Sequence, residues 1–167
     1  LDIHSMQSKA QALTVAGLQP KGRELARSVG YPDLVINDHG HAEGMRMRDY
    51  GGFSDPASPR NAMLVECGQH WEAAAEGVAM ETAIRFLRAT GTVAPDFAGD
   101  WMATRPEPQP MQFFQVSRAV TIETDDFRFA QDWTGLERLP QGTLIGHDGP
   151  NEIRAPHPVT VLIMPSR

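Results

Sequence analysis

The fold of this chain is decided by the stretch Asn61-Ala62-Met63-Leu64-Val65-Glu66-Cys67-Gly68-Gln69-His70-Trp71-Glu72. An apolar run with strand character ends there in a carboxylate, a short turn follows, and a long alanine-rich helix begins. Open parallel sheets place their chemistry just beyond the carboxyl ends of strands, where a side chain is held rigidly beside a crevice. The stretch therefore predicts Glu66 as a catalytic residue. The alternative is a carboxylate that interacts with the dipole of the following helix.

The helix after this strand has the clearest periodicity in the sequence. Small and apolar residues recur at offsets of three and four, which predicts a helix with an apolar face. That face comprises Ala73, Gly77, Met80, Ile84 and Leu87, whereas Glu76, Glu81, Arg85 and Arg88 occupy the opposite face. Gly91 predicts the end of the helix.

Three shorter segments precede the central stretch. Residues 1–4 and 34–36 have strand character, residues 20–30 have the Pro and Gly signals of a short helix, and residues 8–19 predict a loop. This succession predicts an α/β fold with a mostly parallel, helix-covered sheet. If the strands are parallel, His4, His39, His41 and Glu66 meet at one edge of the sheet.

The composition changes in the second half of the chain. Residues 92–110 are rich in Pro, which predicts a linker, and residues 111–167 alternate short apolar runs with turn signals. We therefore expect the α/β part in residues 1–91 and a small antiparallel β domain in residues 111–167.

Charge and cysteine content restrict the class of partner. The chain has 167 residues, a net charge of -6 and no basic run, which argues against nucleic acid and membrane surfaces and leaves small molecules or proteins as partners. One cysteine excludes an internal disulfide and fits a reducing, cytoplasmic compartment. A homo-oligomer is compatible with the sequence, which does not decide the oligomeric state. Leu1 is not an initiator Met, and we expect further residues upstream.

Two kinds of catalytic site are compatible with these residues. A zinc site needs converging His, Cys, Asp or Glu, and His4, His39, His41 and Glu66 are the candidates. The alternative for His39 and His41 is exposure in a loop. A cysteine hydrolase with Cys67 as nucleophile and His70 as base is the second kind, although a thiol beside a buried strand more often serves in packing.

Several motifs together resemble the succinylglutamate desuccinylase/aspartoacylase family of zinc carboxypeptidase-like hydrolases. In the first part of the chain these are Asp2-Ile3-His4-Ser5-Met6, Arg46-Met47-Arg48-Asp49-Tyr50-Gly51 and Leu64-Val65-Glu66-Cys67-Gly68-Gln69-His70-Trp71. In the last part they are Leu139-Pro140-Gln141-Gly142-Thr143-Leu144-Ile145-Gly146, Ala155-Pro156-His157 and Leu162-Ile163-Met164-Pro165. The resemblance covers nearly the whole chain and corresponds to the C-terminal half of the family.

The resemblance implies a zinc-dependent deacylase that cleaves the amide bond of a small N-acyl amino acid or related amide. His4 would be the last of three ligands to one zinc ion, and Glu66 the carboxylate that activates water. The family takes its other two ligands from an upstream His-x-x-Glu, and this motif is absent from the 167 residues. We therefore expect a fragment that is inactive by itself.

Substrate binding is assigned to four further residues. Arg48 and Tyr50 would hold a substrate carboxylate or polarise the carbonyl, because Arg binds carboxylates in a bidentate manner. His39 and His70 would line the pocket without binding metal. A rival interpretation from another class is a non-catalytic binding or interaction module, in which Glu66 only caps a helix.

Overall fold

The computed structural model of the protein describes residues 1–38 and 44–165. The described chain forms two compact units. The first consists of Leu1–Gln7 and Gln11–Ser117, and the second contains the remaining described residues. The predicted site residues His39 and His41 lie outside the described residues.

The first unit is built on a five-stranded sheet. Its strands are β1 (Asp2–Met6), β2 (Leu13–Ala16), β3 (Leu34–Asn37), β4 (Leu64–Gln69) and β5 (Gln112–Gln115), in the order β1-β4-β2-β3-β5. Three of the neighbouring pairs are parallel and one, β2 with β4, is antiparallel. The predicted α/β class with a mostly parallel sheet is therefore confirmed. The sequence analysis had placed β5 in the C-terminal β domain, whereas it pairs with β3.

The single antiparallel pair corrects the expectation that every strand end meets at one edge. Because β2 pairs antiparallel with β4 and parallel with β3, strands β1 and β4 run opposite to β2, β3 and β5. The carboxyl end of β3 therefore lies at the other end of the sheet from the carboxyl end of β4. Glu66 also does not end its strand, because β4 continues to Gln69.

Strand β2 was missed in the sequence, where residues 8–19 were expected to form a loop. All four of its residues are buried, so it shows no alternation between polar and apolar positions. Its central place in the sheet, between β4 and β3, accounts for that burial because both of its edges and both of its faces are covered.

Helix α1 (Pro20–Val29) matches its sequence signals. Pro lies at its start, and Gly30 ends it in the left-handed conformation with a φ of 70°, which glycine adopts without steric cost. Ala26 packs against Ala16 of β2 and Val35 of β3, with Phe113 of β5 at the margin of this cluster. One face of the sheet is thereby covered by α1.

Helix α2 (Ala74–Ala89) packs against β4 and α1, but its predicted apolar face is only partly correct. Ile84 is buried as expected, whereas Met80 is 49% exposed and Glu81, predicted on the polar face, is 3% exposed. Burial of Glu81 is tolerated because Arg85 donates a hydrogen bond of 2.9 Å to its carboxylate. A third helix, α3 (Gly99–Met102), lies in the predicted linker.

The second unit contains two small antiparallel sheets. Their strands are β6 (Arg128–Phe129), β7 (Arg138–Pro140), β8 (Leu144–Asp148), β9 (Asn151–Arg154) and β10 (Val159–Val161). The first sheet has the order β6-β8-β9, and β7 pairs with β10. Leu139, Ile145 and Ala155 form the core, against which Trp133 and Leu162 pack.

In the described part of the chain, none of the helices combines the length and the apolar character needed to cross a membrane.

Candidate functional site

His4 and Glu66 lie directly opposite each other on the neighbouring parallel strands β1 and β4. Adjacent strands are roughly 4.8 Å apart, and opposite residues project from the same face of a sheet. The sheet therefore brings together the imidazole and the carboxylate that the sequence separates by 62 positions. β1 is at the edge of the sheet, which leaves the side chain of His4 half-exposed.

The imidazole of His4 is oriented by a carboxylate two residues earlier on the same strand. Its Nε2 donates a hydrogen bond of 3.1 Å to Oδ1 of Asp2, since a carboxylate can only accept. That bond places the ring proton on Nε2 and makes Nδ1 the atom with a lone pair. Metal-binding histidines in proteins are held in this way by a carboxylate on the second nitrogen.

Glu66 is a half-buried carboxylate that lacks full compensation for its charge. Its Oε2 is buried, and no described residue forms a hydrogen bond with it. Burial raises the pKa of Glu66, while the protonated form of His4 and the charge of Arg46 oppose that rise. A carboxylate with a raised pKa and a free oxygen is suited to accept a proton and return it.

His70 lies at the end of β4, beside the end of β1. Its Nδ1 is 2.6 Å from the hydroxyl of Ser5, and its backbone N–H donates a hydrogen bond of 2.9 Å to the carbonyl of Met6. The positive form of His70 also lowers the pKa of Glu66, so the two side chains share one electrostatic environment. Among the described residues, Nε2 of His70 has no hydrogen-bond partner.

The described residues do not by themselves complete a zinc site. Structural and catalytic zinc sites use at least three protein ligands, and residues 1–38 and 44–165 contain no group of three suitable side chains. His4 fits the role of one ligand because Asp2 holds its ring and Nδ1 is available. Any further donors to such a site would have to lie outside the described residues.

Cys67 does not have the properties of a nucleophile. Its thiol is buried, and burial, with a contribution from the charge of Glu66, raises its pKa to about 11. Because the thiolate is the reactive form, very little of Cys67 is reactive at neutral pH. The structure thus favours the packing role over the cysteine hydrolase.

Arg48 belongs to a group of charged residues next to β3. Its guanidinium is buried and forms ion pairs with Asp38 and with Asp49, the latter at 3.0 Å. Arg46 also pairs with Asp38, at 2.6 Å. This group of charges surrounds the end of β3. Tyr50, the other predicted substrate-binding residue, is 67% exposed.

A small pocket of about 150 Å³ lies next to these charges. Its lining includes the turn between β2 and α1, the charged residues and the segment before β4: Gly17, Leu18, Gln19, Lys21, Gly22, Asp38, Arg48, Asp49, Phe53, Ser54, Asn61 and Ala62. Ala62 precedes Glu66 by four residues, so the pocket is roughly 13 Å from Glu66 along the strand direction.

Asp2 and Ser5 were missed as functional residues in the sequence analysis, and Arg46 was not placed beside Glu66. Asp2 holds His4, Ser5 contacts His70, and Arg46 lowers the pKa of Glu66. The sequence contained a signal only for Asp2. It is two positions before His4, and residues at that spacing on a strand face the same side. Ser5 and Arg46 reach the site through pairing of distant segments, which no local pattern reports.

Comparisons with known proteins give matches in structure only. No protein-family model matches the sequence, and no curated protein matches it significantly.

Among solved structures, the chain is similar to succinylglutamate desuccinylases from two Vibrio species. The match to the protein from Vibrio parahaemolyticus has a TM-score of 0.63 at 19% identity, and covers 99% of this chain and 48% of that one. The match to the protein from Vibrio cholerae has a TM-score of 0.62 at 18% identity, with coverage of 99% and 48%. An ectoine utilization protein from Ruegeria pomeroyi matches with a TM-score of 0.58 at 13% identity, with coverage of 97% and 53%.

This chain thus spans about half the length of the proteins that it resembles. The resemblance to the succinylglutamate desuccinylase/aspartoacylase family that the motifs indicated is confirmed at the level of the fold. Identities below 20% show a shared fold, and the activity of this protein has to be argued from its own residues.

Proposed function

We propose that this chain is the catalytic-base half of a zinc-dependent hydrolase that removes the acyl group from a small N-acyl amino acid or related amide. In this proposal Glu66 is the general base, His4 is one zinc ligand, and the other two ligands come from a His-x-x-Glu in a preceding part of the protein. The single cysteine agrees with action in the cytoplasm.

One observation carries the proposal: His4 and Glu66 lie opposite each other on adjacent parallel strands, and a buried oxygen of Glu66 has no hydrogen-bond partner among the described residues. A carboxylate that served only to cap a helix would be expected to accept hydrogen bonds from the backbone at the helix start. Glu66 is instead eight residues before the start of α2, in the middle of β4.

The roles of this chain's residues follow from their positions. Glu66 takes a proton from the attacking water and delivers it to the departing amine, and its raised pKa brings the two transfers closer in free energy. Asp2 keeps the ring of His4 in the tautomer with a lone pair on Nδ1. Zinc, when bound, supplies Lewis acidity that polarises the amide carbonyl and acidifies water.

Substrate recognition is assigned to the side chains around Glu66. His70 also lowers the pKa of Glu66, after His4 and Arg46, and its Nε2 would donate to or accept from a bound amide. Substrate binding by Arg48 and Tyr50 remains a prediction. The guanidinium of Arg48 is already paired with two carboxylates, so binding a substrate carboxylate there would require one of these pairs to open.

The test uses the complete protein with its preceding segment. Zinc content is measured by metal analysis, and hydrolysis of a panel of N-acyl amino acids is followed in wild type, Glu66→Gln and His4→Ala. We expect stoichiometric zinc in wild type and in Glu66→Gln, loss of zinc in His4→Ala, and loss of turnover in both variants. A complete protein without zinc or activity would favour the non-catalytic binding module.

A further inference from the structure

Lys21 is held in a cage of backbone carbonyl groups. Its ammonium group donates hydrogen bonds to the carbonyl oxygens of Gly52 at 3.2 Å, Asp55 at 2.6 Å, Ser58 at 3.2 Å and Arg60 at 2.7 Å. All four acceptors lie in the segment 52–60, which begins inside the 3-10 turn Gly51–Phe53 and ends before β4. One ammonium group therefore binds carbonyl oxygens along a loop of nine residues.

The position of Lys21 in helix α1 makes this arrangement informative. It is in the first turn of the helix, where the macrodipole is positive and favours acidic residues. The first turn of α1 contains no acidic residue. A lysine at this position is electrostatically unfavourable for the helix, so its stabilisation must come from the four carbonyl oxygens.

The backbone of Lys21 holds the same loop at its end. Its carbonyl oxygen accepts a hydrogen bond of 2.7 Å from the side-chain amide of Asn61, whose Oδ1 in turn accepts one of 3.0 Å from the N–H of Ala62. These contacts fix the chain two residues before β4 begins at Leu64. Phe53, Ser54 and Asn61 also form one wall of the pocket.

We infer that Lys21 is a positioning residue whose ammonium acts as the resident cation of a monovalent-cation site built from the carbonyl oxygens of residues 52–60. An ammonium group has three donors for four acceptors, and it resembles potassium and ammonium ions in charge and in its preference for carbonyl oxygens. The cage holds the wall of the pocket and the entrance to β4 in one conformation.

The inference is tested by removing the ammonium group and supplying a free cation. Lys21→Ala leaves the four carbonyl oxygens in place and opens space for an ion. In the complete protein, we expect hydrogen exchange of the amides in residues 52–60 to accelerate at least about tenfold in Lys21→Ala. Potassium, ammonium or methylammonium chloride should restore protection, because each brings a positive charge into contact with the carbonyl oxygens. Tetramethylammonium chloride at equal ionic strength should not, because its four methyl groups are too large for the cage and keep its charge away from these oxygens.

Two control variants separate the cage from general charge effects. Lys9→Ala removes the same charge from an exposed lysine outside the loop and should leave exchange in residues 52–60 unchanged. Lys21→Met keeps the aliphatic stem but fills the space, so it should lose protection and should not be rescued by any of the cations.

A kinetic measurement tests the positioning role and rests on the proposed function. In Lys21→Ala we expect KM to rise several-fold with kcat within about twofold, and methylammonium should restore KM. The exchange measurement needs no activity, so failure of the proposed deacylase reaction leaves it intact. Unchanged exchange in Lys21→Ala would overturn the inference, and so would lost protection that none of the three small cations restores.

Discussion

Glu66 in the first unit and Asp148 in the second are carboxylates that differ in their hydrogen-bond donors and in the direction of their pKa shifts. Asp148 is 5% exposed and accepts hydrogen bonds from the N–H groups of Glu123 at 2.7 Å and Thr124 at 3.0 Å, and from the hydroxyl of Thr124 at 2.5 Å. The Thr124 hydroxyl and these backbone donors hold the pKa of Asp148 below its ordinary value. Glu66 has a buried oxygen without a described donor, and burial raises its pKa.

The difference shows that converging hydrogen-bond donors lower the pKa of a carboxylate, whereas burial without such donors raises it. Donors at Asp148 stabilise the charged form and fix the turn that precedes β6. Their absence at Glu66 keeps the proton affinity of the carboxylate high, at a cost in stability. Buried polar groups without partners are uncommon in folded proteins, and those that persist are concentrated at functional sites.

The largest expected effect tests whether Glu66 is retained for catalysis. Glu66→Gln in the complete protein should lower kcat by about 10²–10⁴-fold, because an amide of the same shape cannot accept the proton. Bound zinc, measured by metal analysis, should stay near the wild-type amount because no proposed ligand is changed. Activity near that of wild type would show that Glu66 is not the general base. The difference between Glu66 and Asp148 would then have no catalytic meaning.

The next effect tests the structural role of Asp148. Asp148→Asn should lower the Tm of the protein by roughly 5 °C, since an amide cannot satisfy the three donors that converge on the carboxylate. Asp126→Asn removes the same charge from an exposed position in the same unit and serves as the matched control. Equal Tm values for the two variants, by calorimetry, would contradict the argument.

A smaller effect concerns the pH dependence of stability. At neutral pH Glu66→Gln should raise Tm by roughly 2 °C, because it removes a charge that the folded state disfavours. The raised pKa means that the wild type loses stability as pH rises from the ordinary glutamate value through the folded value. The gain of the variant should therefore vanish on acidification.

The stability that Asp148 contributes should depend on pH in the opposite direction from that of Glu66. Its pKa is lowered in the folded state, so its stabilisation is present above the ordinary aspartate value and is lost as pH falls through the folded value. The deficit of Asp148→Asn should thus be largest at neutral pH and shrink in acid. Thermal unfolding of both variants between about pH 3 and 7 distinguishes the two carboxylates. If the difference in Tm from wild type had the same sign in both variants at neutral pH, the comparison would be refuted.

The smallest effect is expected at Cys67, the neighbour of Glu66. Cys67→Ser should leave kcat within about twofold, since a thiol with a pKa of about 11 is almost entirely protonated at neutral pH. Iodoacetamide should react slowly with the folded protein at pH 8 and leave its activity unchanged. Rapid alkylation with loss of turnover would return the cysteine hydrolase to consideration.

Local patterns predicted the parts of the fold that local physics controls. Helix α1 was predicted from a proline and a glycine at its ends, and β3 and β4 from apolar runs. Strand β2 was missed because its four buried residues include Thr14, so that, unlike β3, it does not begin with a continuous run of large apolar residues. Glu81 was misplaced because its burial depends on Arg85 in a packed environment rather than on the helical period alone.

The sequence by itself determined the α/β class, the strand that carries Glu66, and the motifs that resemble the desuccinylase fold. Those features depend on residue type and on the spacing of nearby residues, both of which can be seen in the sequence. Only the tertiary structure decided that β2 pairs antiparallel with β4, that His4 and Glu66 are neighbours, and that one buried oxygen of Glu66 has no donor among the described residues. Strand direction and the supply of donors are properties of pairing between distant segments, and burial changes a pKa only after that pairing has excluded water.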